Sequence, residues 1–184
     1  MKGKLRTFSL LAIAAVVLGL YVLRVVQLNL AWPAPPLEVY ALGETVEGPY
    51  TTECVVHSAR FMSQEEAEQY YVERNDWEHL YLVVDVSITN TGEQELKEYM
   101  NFTQPRSNGW TNGFNPHLFW GMYDQEDAYP ILGPGETVRR EFAFGLSDVM
   151  FKDSQWPHVT ERPYQLVITS YPVLRVVELF PENS

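Results

Sequence analysis

Apolar residues recur at every second position through HLYLVVDVSITNTGEQEL, residues 79–96, until the pattern stops at Asn90-Thr91-Gly92. Leu80, Leu82, Val84, Val86 and Ile88 fall on one face, and Tyr81, Asp85, Ser87 and Thr89 on the other. This period of two predicts a half-buried strand that leaves through a tight turn. Residues 137–146 repeat it, with Val138, Phe142, Phe144 and Leu146 opposite Arg139 and Glu141. Further strands are expected at 37–41, 50–61, 96–102, 116–122, 164–170 and 173–180. They are separated by Gly43, Gly48-Pro49, Asn112-Gly113, Gly133-Pro134-Gly135 and Pro172. Only 63–72 reads as helix, opened by Ser63 and Glu66 at capping-box spacing. The fold expected is an all-β, immunoglobulin-like antiparallel β-sandwich of seven to eight strands with one short helix.

The first 32 residues follow a different pattern. Residues 8–23 carry no charge, the apolar character runs on to Trp32, and Lys2, Lys4 and Arg6 precede it. A helix here reaches the roughly 20 residues a bilayer requires if Arg24 snorkels outward, and the indole of Trp32 suits a membrane interface. A cleaved signal peptide is the alternative. Against it, Asn29-Leu30-Ala31 makes a poor cleavage site and Pro35 directly follows Ala34. Lipidation is not expected, because the only cysteine, Cys54, lies far downstream. The charge bias places the N-terminus in the cytoplasm and the remainder outside the cell. The expected organisation is a basic start and signal-anchor transmembrane helix at 1–32, a Pro-rich spacer and strand lead-in at 33–42, and an extracellular sandwich at 43–184.

A chain of 184 residues, 46% of them apolar, can bury one substantial core. Residues 33–184 hold nine basic against 24 acidic residues, a formal charge of −15. Such a surface repels phosphate backbones, which excludes nucleic-acid binding through counterion release. A lone cysteine allows no internal disulfide, a pattern more usual on Gram-positive bacterial surfaces than in animal ectodomains. The Asn101-Phe102-Thr103 sequon matters only in a glycosylating host.

YLVVDVSITNTGEQEL followed by LGPGETVRREFAF, with GETVE near the start, resembles the bacterial telokin-like, immunoglobulin-fold extracellular domains. That family has no established function and usually sits behind a lipoprotein signal or a single membrane anchor. The resemblance covers roughly 43–180. It implies a surface-tethered binding or structural module and carries over no catalytic residue. Two departures stand out: a transmembrane anchor in place of the lipidated cysteine, and an aromatic loop at 106–129.

Catalytic patterns are missing from the sequence. Cys54 and His57 are three residues apart on a strand, which turns a thiolate and an imidazole to opposite faces. Gly145-Leu146-Ser147-Asp148 lacks the second glycine of a nucleophile elbow. His57, His79, His117 and His158 are scattered and read as structural or solvated. Glu65, Glu66 and Glu68 read as the opening turn of a helix. Asp124, Glu126 and Asp127 read as a solvated turn, and neither group has calcium-loop spacing. No enzyme activity, cofactor or metal is expected. In 106–129, Phe119 and either Trp120 or Tyr123 are expected in the core. Trp110 and Phe114 sit among turn residues where burial strands backbone polar groups, so they, with Tyr129 and their polar neighbour Arg106, form the candidate contact patch. The expected partners are the membrane through residues 8–32 and a protein at the cell surface. A cell-wall glycan is the alternative ligand, and an enzyme with dispersed residues the third reading.

Overall fold

A computed structural model describes residues 2–73, 76–97, 104–123 and 128–182. The chain divides into two compact units, Met1–Pro35 and Pro36–Ser184. The first is helix α1, Lys2–Ala31, which stops at the Pro-rich segment because proline cannot supply the next amide hydrogens. Its Ile13–Ala31 stretch is long and apolar enough to cross a membrane, and none of it is buried.

The second unit is a β-sandwich. Among the described residues its strands are β1 Leu37–Tyr40, β2 Thr45–Glu47, β3 Thr52–Ser63, β4 His79–Asn90, β5 Gln104–Ser107, β6 Trp110–Thr111, β7 Thr137–Ser147, β8 Tyr164–Thr169 and β9 Leu174–Leu179. They form a five-stranded sheet, β1-β9-β8-β5-β6, and a four-stranded sheet, β2-β3-β4-β7. The expected β-sandwich is therefore observed, with nine strands rather than seven or eight among the described residues, two short α-helices rather than one, and β1 parallel to β9. The main core between the sheets includes Val56, Phe61, Leu82, Val84, Ile88, Phe142, Phe144, Leu166 and Val177.

In β3, Thr52, Cys54 and Val56 point inward, then the phase changes and Ala59 and Phe61 do so. The change falls at a bulge between Val56 and Ser58, where one extra residue lets a strand keep its apolar side chains inside. In β4 the inward face is as expected, but Tyr81 and Val83 on the other face are buried as well. They belong to a second cluster with Met62 of β3, Ala143 of β7, and Ala67 and Leu118 brought by two short helices. The first, α2, Gln64–Ala67, starts as expected, with Ser63 Oγ accepting from the amide of Glu66. It is shorter than its sequence pattern, because the amides of Tyr70 and Tyr71 both turn back to Ala67 O.

The second, α3, Pro116–Met122, replaces an expected strand. Asn115 caps it through Leu118 N and Pro116 supplies the first-turn φ, an Asn-Pro start that outweighs the local β propensity. Phe119 is buried and Tyr123, four residues on, packs beside it, whereas Trp120 is exposed. Gly121 packs against the Tyr70 carbonyl, where a Cβ would come within 2.2 Å of the oxygen. Of the expected strand at 96–102, Leu96 bridges Leu132; residues 98–103 lie outside the described residues, as does the sequon.

β7 is the outer strand of the four-stranded sheet, and neighbours occupy its outward groups. Asn115 N donates to Ala143 O at 2.7 Å, Asn112 Nδ2 to Gly145 O at 2.8 Å, and Arg140 Nη1 to Arg139 O at 2.8 Å. Glu141 N donates to Tyr123 Oη at 2.8 Å, and the Arg140 guanidinium lies 4.9 Å from the centre of that ring.

The sandwich has two poles. At one, Arg175 ties the sheets together by bonding Glu38 of β1 at 2.9 Å and Glu47 of β2 at 2.7 Å. The Tyr40 hydroxyl and then Arg175 hold the Glu38 carboxyl below its ordinary range. Asn90 ends β4 at this pole, fully buried. Its Oδ1 accepts from Gly92 N, and its Nδ2 donates to the carbonyls of Gln94 and Leu132. Gly92 is required here by space, since a Cβ would sit 2.5 Å from Thr51 Oγ1. Gly135, by contrast, has a φ of +77°. The chain enters the sandwich at this pole, where Leu37 and Glu38 pair with Leu174 and Arg175. The other pole, where β4 begins and β7 ends, is about 36 Å away at about 3.3 Å per residue of β4.

Candidate functional site

Cys54 is buried, and burial pushes its thiol up to about 12, so it is a thiol rather than a nucleophilic thiolate at neutral pH. His57 sits on the opposite face at the β3 bulge, with Nε2 2.7 Å from Ser87 Oγ. His158 is exposed, 3.1 Å from Glu161. Glu65 and Glu66 occupy the first turn of α2, and Glu66 pairs with Arg60 at 2.8 Å. Asp124, Glu126 and Asp127 lie outside the described residues. No group of three or more potential metal ligands occurs among the described residues.

The expected contact patch is not assembled. Trp110 is core: its ring meets Tyr164 edge-on at 5.9 Å and stacks on Phe151 at 6.3 Å. The reason is Arg162, which donates to the carbonyls of Ser107 and Asn108 and to Ser107 Oγ. The backbone polar groups expected to prevent burial are thereby satisfied. Arg106 lies beside it on the outer face of β5, with Nε and Nη2 both on Gln165 Oε1. Phe114 is half-buried, bridges Phe144 of β7 and packs edge-on to Phe119 and Phe142. Tyr129, 38% exposed, rests on the other side of this group, 5.3 Å from Phe119. Arg106 and Trp110 thus belong to a shallow groove along β5 and β6, while Phe114 belongs to a different recess.

That second recess is the candidate site. It is a cleft of about 440 Å³ at the pole opposite the chain entrance, between the start of β4, the end of β7 and the segment leading into α3. Its walls are aromatic. Trp77, His79 and Tyr81 form a ladder with centroids 6.3 and 6.2 Å apart. His117 stands at the α3 side, stacked on Tyr71 at 5.0 Å. Trp77 and Met150, each 48% exposed, form part of the lining.

The polar groups of the cleft are unusual. Tyr81 and Ser147 are each 1% exposed, yet neither Tyr81 Oη nor Ser147 Oγ makes a hydrogen bond of normal geometry among the described residues. Leaving a buried hydroxyl unpaired costs about 1–3 kcal/mol. Burial, and after it the charge of Glu73 and a hydrogen bond to its carboxylate outside ordinary geometry, raises the Tyr81 hydroxyl above the ordinary tyrosine range, so it remains a proton donor. Glu73 also lines the cleft, 3.4 Å from Asn115 Nδ2. Gly145 lies directly across the ladder from Tyr81, and a Cβ there would meet the ring at an ordinary 3.8 Å. No Lys or Arg lines this cleft among the described residues.

Of the expected residues, only Phe114 belongs to the cleft. Glu73, Trp77, His79, Tyr81, His117 and Ser147 were not singled out as a site. A signal for two of them was present, since Tyr81 and Ser147 fall on the outward phase of β4 and β7 at the same end.

The model of a family described as a domain of unknown function, DUF5028, matches residues 37–175. Among solved structures, an uncharacterized beta-sandwich protein from Clostridium difficile is similar at 15% identity and a TM-score of 0.50, over 79% of this chain and 96% of that one. A conserved hypothetical protein from Bacillus anthracis follows at 13% identity and 0.48, over 74% and 94%. A functionally unknown protein from Listeria monocytogenes is similar at 11% and 0.47, over 75% and 81%. No curated protein matches the chain. The first structural likeness supports the sandwich fold and carries no activity.

Proposed function

The chain belongs to the DUF5028 family of domains of unknown function, and on that premise we propose that it is a non-catalytic binding module. In this reading α1 anchors it in a membrane with residues 33–184 outside the cell, in keeping with the resemblance to telokin-like extracellular domains. Its ligand occupies the cleft between β4, β7 and α3.

The observation that carries the reading is the buried, unpartnered Ser147 hydroxyl, beside a Tyr81 hydroxyl held only by Glu73 outside ordinary geometry, in an aromatic-walled recess. Buried polar groups in folded proteins are nearly always hydrogen-bonded, so an unpaired one lining an open recess is suited to a partner from outside the domain. The position of the cleft adds support, because it lies at the pole remote from the point where the chain enters the sandwich.

Two experiments test this. Protease applied to intact cells is expected to remove the sandwich and spare a small N-terminal fragment; a domain released into the medium would show a cleaved signal instead. For the binding reading, a photoreactive residue at Met150 is expected to cross-link cell-envelope material, while one at the exposed Glu53, near the other pole, is not. Equal labelling at both positions, or none at either, overturns it.

A further inference from the structure

We infer that the ligand of this cleft is a neutral sugar ring, a pyranose unit of a glycan. The inference rests on the binding reading above and adds the chemical class.

Three properties of the cleft select that class. The first is charge: Glu73 is the one carboxylate in a lining without Lys or Arg among the described residues, and residues 33–184 carry a formal −15. Phosphates, carboxylates and other anions are therefore disfavoured. The second is the form of the unsatisfied groups. Ser147 Oγ carries a proton to donate and lone pairs to offer, whereas the Tyr81 hydroxyl turns its proton toward Glu73 and offers lone pairs. An alkylammonium offers donors only, so the Ser147 proton would remain without an acceptor. A sugar hydroxyl donates and accepts at once and can satisfy both sides of Ser147. The third is shape, since the half-exposed Trp77 at one end of the ladder presents a flat apolar ring beside these polar atoms. The C–H face of a pyranose matches a ring, and its hydroxyl edge matches the neighbouring polar groups.

The test titrates the full chain in detergent micelles with cellotetraose, chitotetraose, maltotetraose and, as a cationic control, spermidine, followed by calorimetry. At least one oligosaccharide is expected to bind. Trp77→Ala is expected to weaken that binding about tenfold by removing the platform. Tyr81→Phe and Ser147→Ala are each expected to weaken it about three- to tenfold without lowering the melting temperature. Gly145→Leu, whose Cβ the structure admits, is expected to fill the cleft and abolish binding at an unchanged melting temperature. Heat from spermidine alone, no heat from any of the three sugars, or undiminished sugar binding by Gly145→Leu overturns the inference. Cross-linking at Met150 that survives enzymatic digestion of the envelope glycans would also overturn it, while leaving the binding reading in place.

Discussion

The two ends of β4 treat buried polar groups in opposite ways. At one end Asn90 is completely enclosed, and its amide exchanges three hydrogen bonds with Gly92, Gln94 and Leu132. At the other end Tyr81 and Ser147 are enclosed almost as fully, yet the Ser147 hydroxyl has no partner among the described residues and that of Tyr81 reaches only Glu73, outside ordinary geometry. Both ends carry the cost of removing polar atoms from water, but only the first recovers it within the fold. The Asn90 end therefore belongs to the scaffold, where the polar group specifies one turn geometry. The Tyr81 end is stability left unclaimed by the domain, which is the usual condition of a site that a ligand completes.

The contrast can be broken from the middle of the strand outward. Val84→Asp, between the two ends, places an unpaired carboxylate in the main core and is expected to leave the sandwich unfolded at room temperature. Ser87→Asp, on the outer face beside His57, is expected to melt like the parent. Asn90→Ala is expected to cost about 3 kcal/mol in denaturant titration, because it strands buried partners that the amide satisfied. Gly121→Ala would gain helix propensity, yet its Cβ meets the Tyr70 carbonyl, so a net loss of about 1–3 kcal/mol is expected and α3 must shift away from the cleft wall. The smallest effects on stability are expected at the other end, where Tyr81→Phe and Ser147→Ala remove hydroxyls that make no bond of ordinary geometry and should leave the melting temperature nearly unchanged. Should these two cost as much as Asn90→Ala, the distinction between scaffold end and site end disappears.

The sandwich was legible wherever burial is one-sided, because period two then appears directly in side-chain polarity. The inner face of β4 and the strands at 137–146, 164–170 and 173–180 were read on that basis. The reading failed where another element covers the second face. Tyr81 reads as an outward residue until α2 and α3 bury it, and those helices are short enough that 116–122 reads as strand. The Asn115-Pro116 helix start was the local signal that decided otherwise. Trp110 was misplaced for a different reason: the donor that makes its burial affordable, Arg162, comes from 52 residues further along the chain and leaves no local trace. The cleft suffers from the same non-locality, since His79, His117 and Ser147 meet only through strand register and helix docking.

The dressing of β7 has a consequence for copies of this protein held close together. Its 11 residues form by far the longest border in the sandwich, against four, three and two for β1, β2 and β6. An open border of that length is a template on which a neighbouring molecule can add a strand and begin to aggregate. The donors from Asn112, Asn115 and Arg140, the last on the inward phase of the strand, and the Tyr123 hydroxyl already occupy the positions a visiting backbone would need. Crowded copies can thus touch through β7 without fusing their sheets.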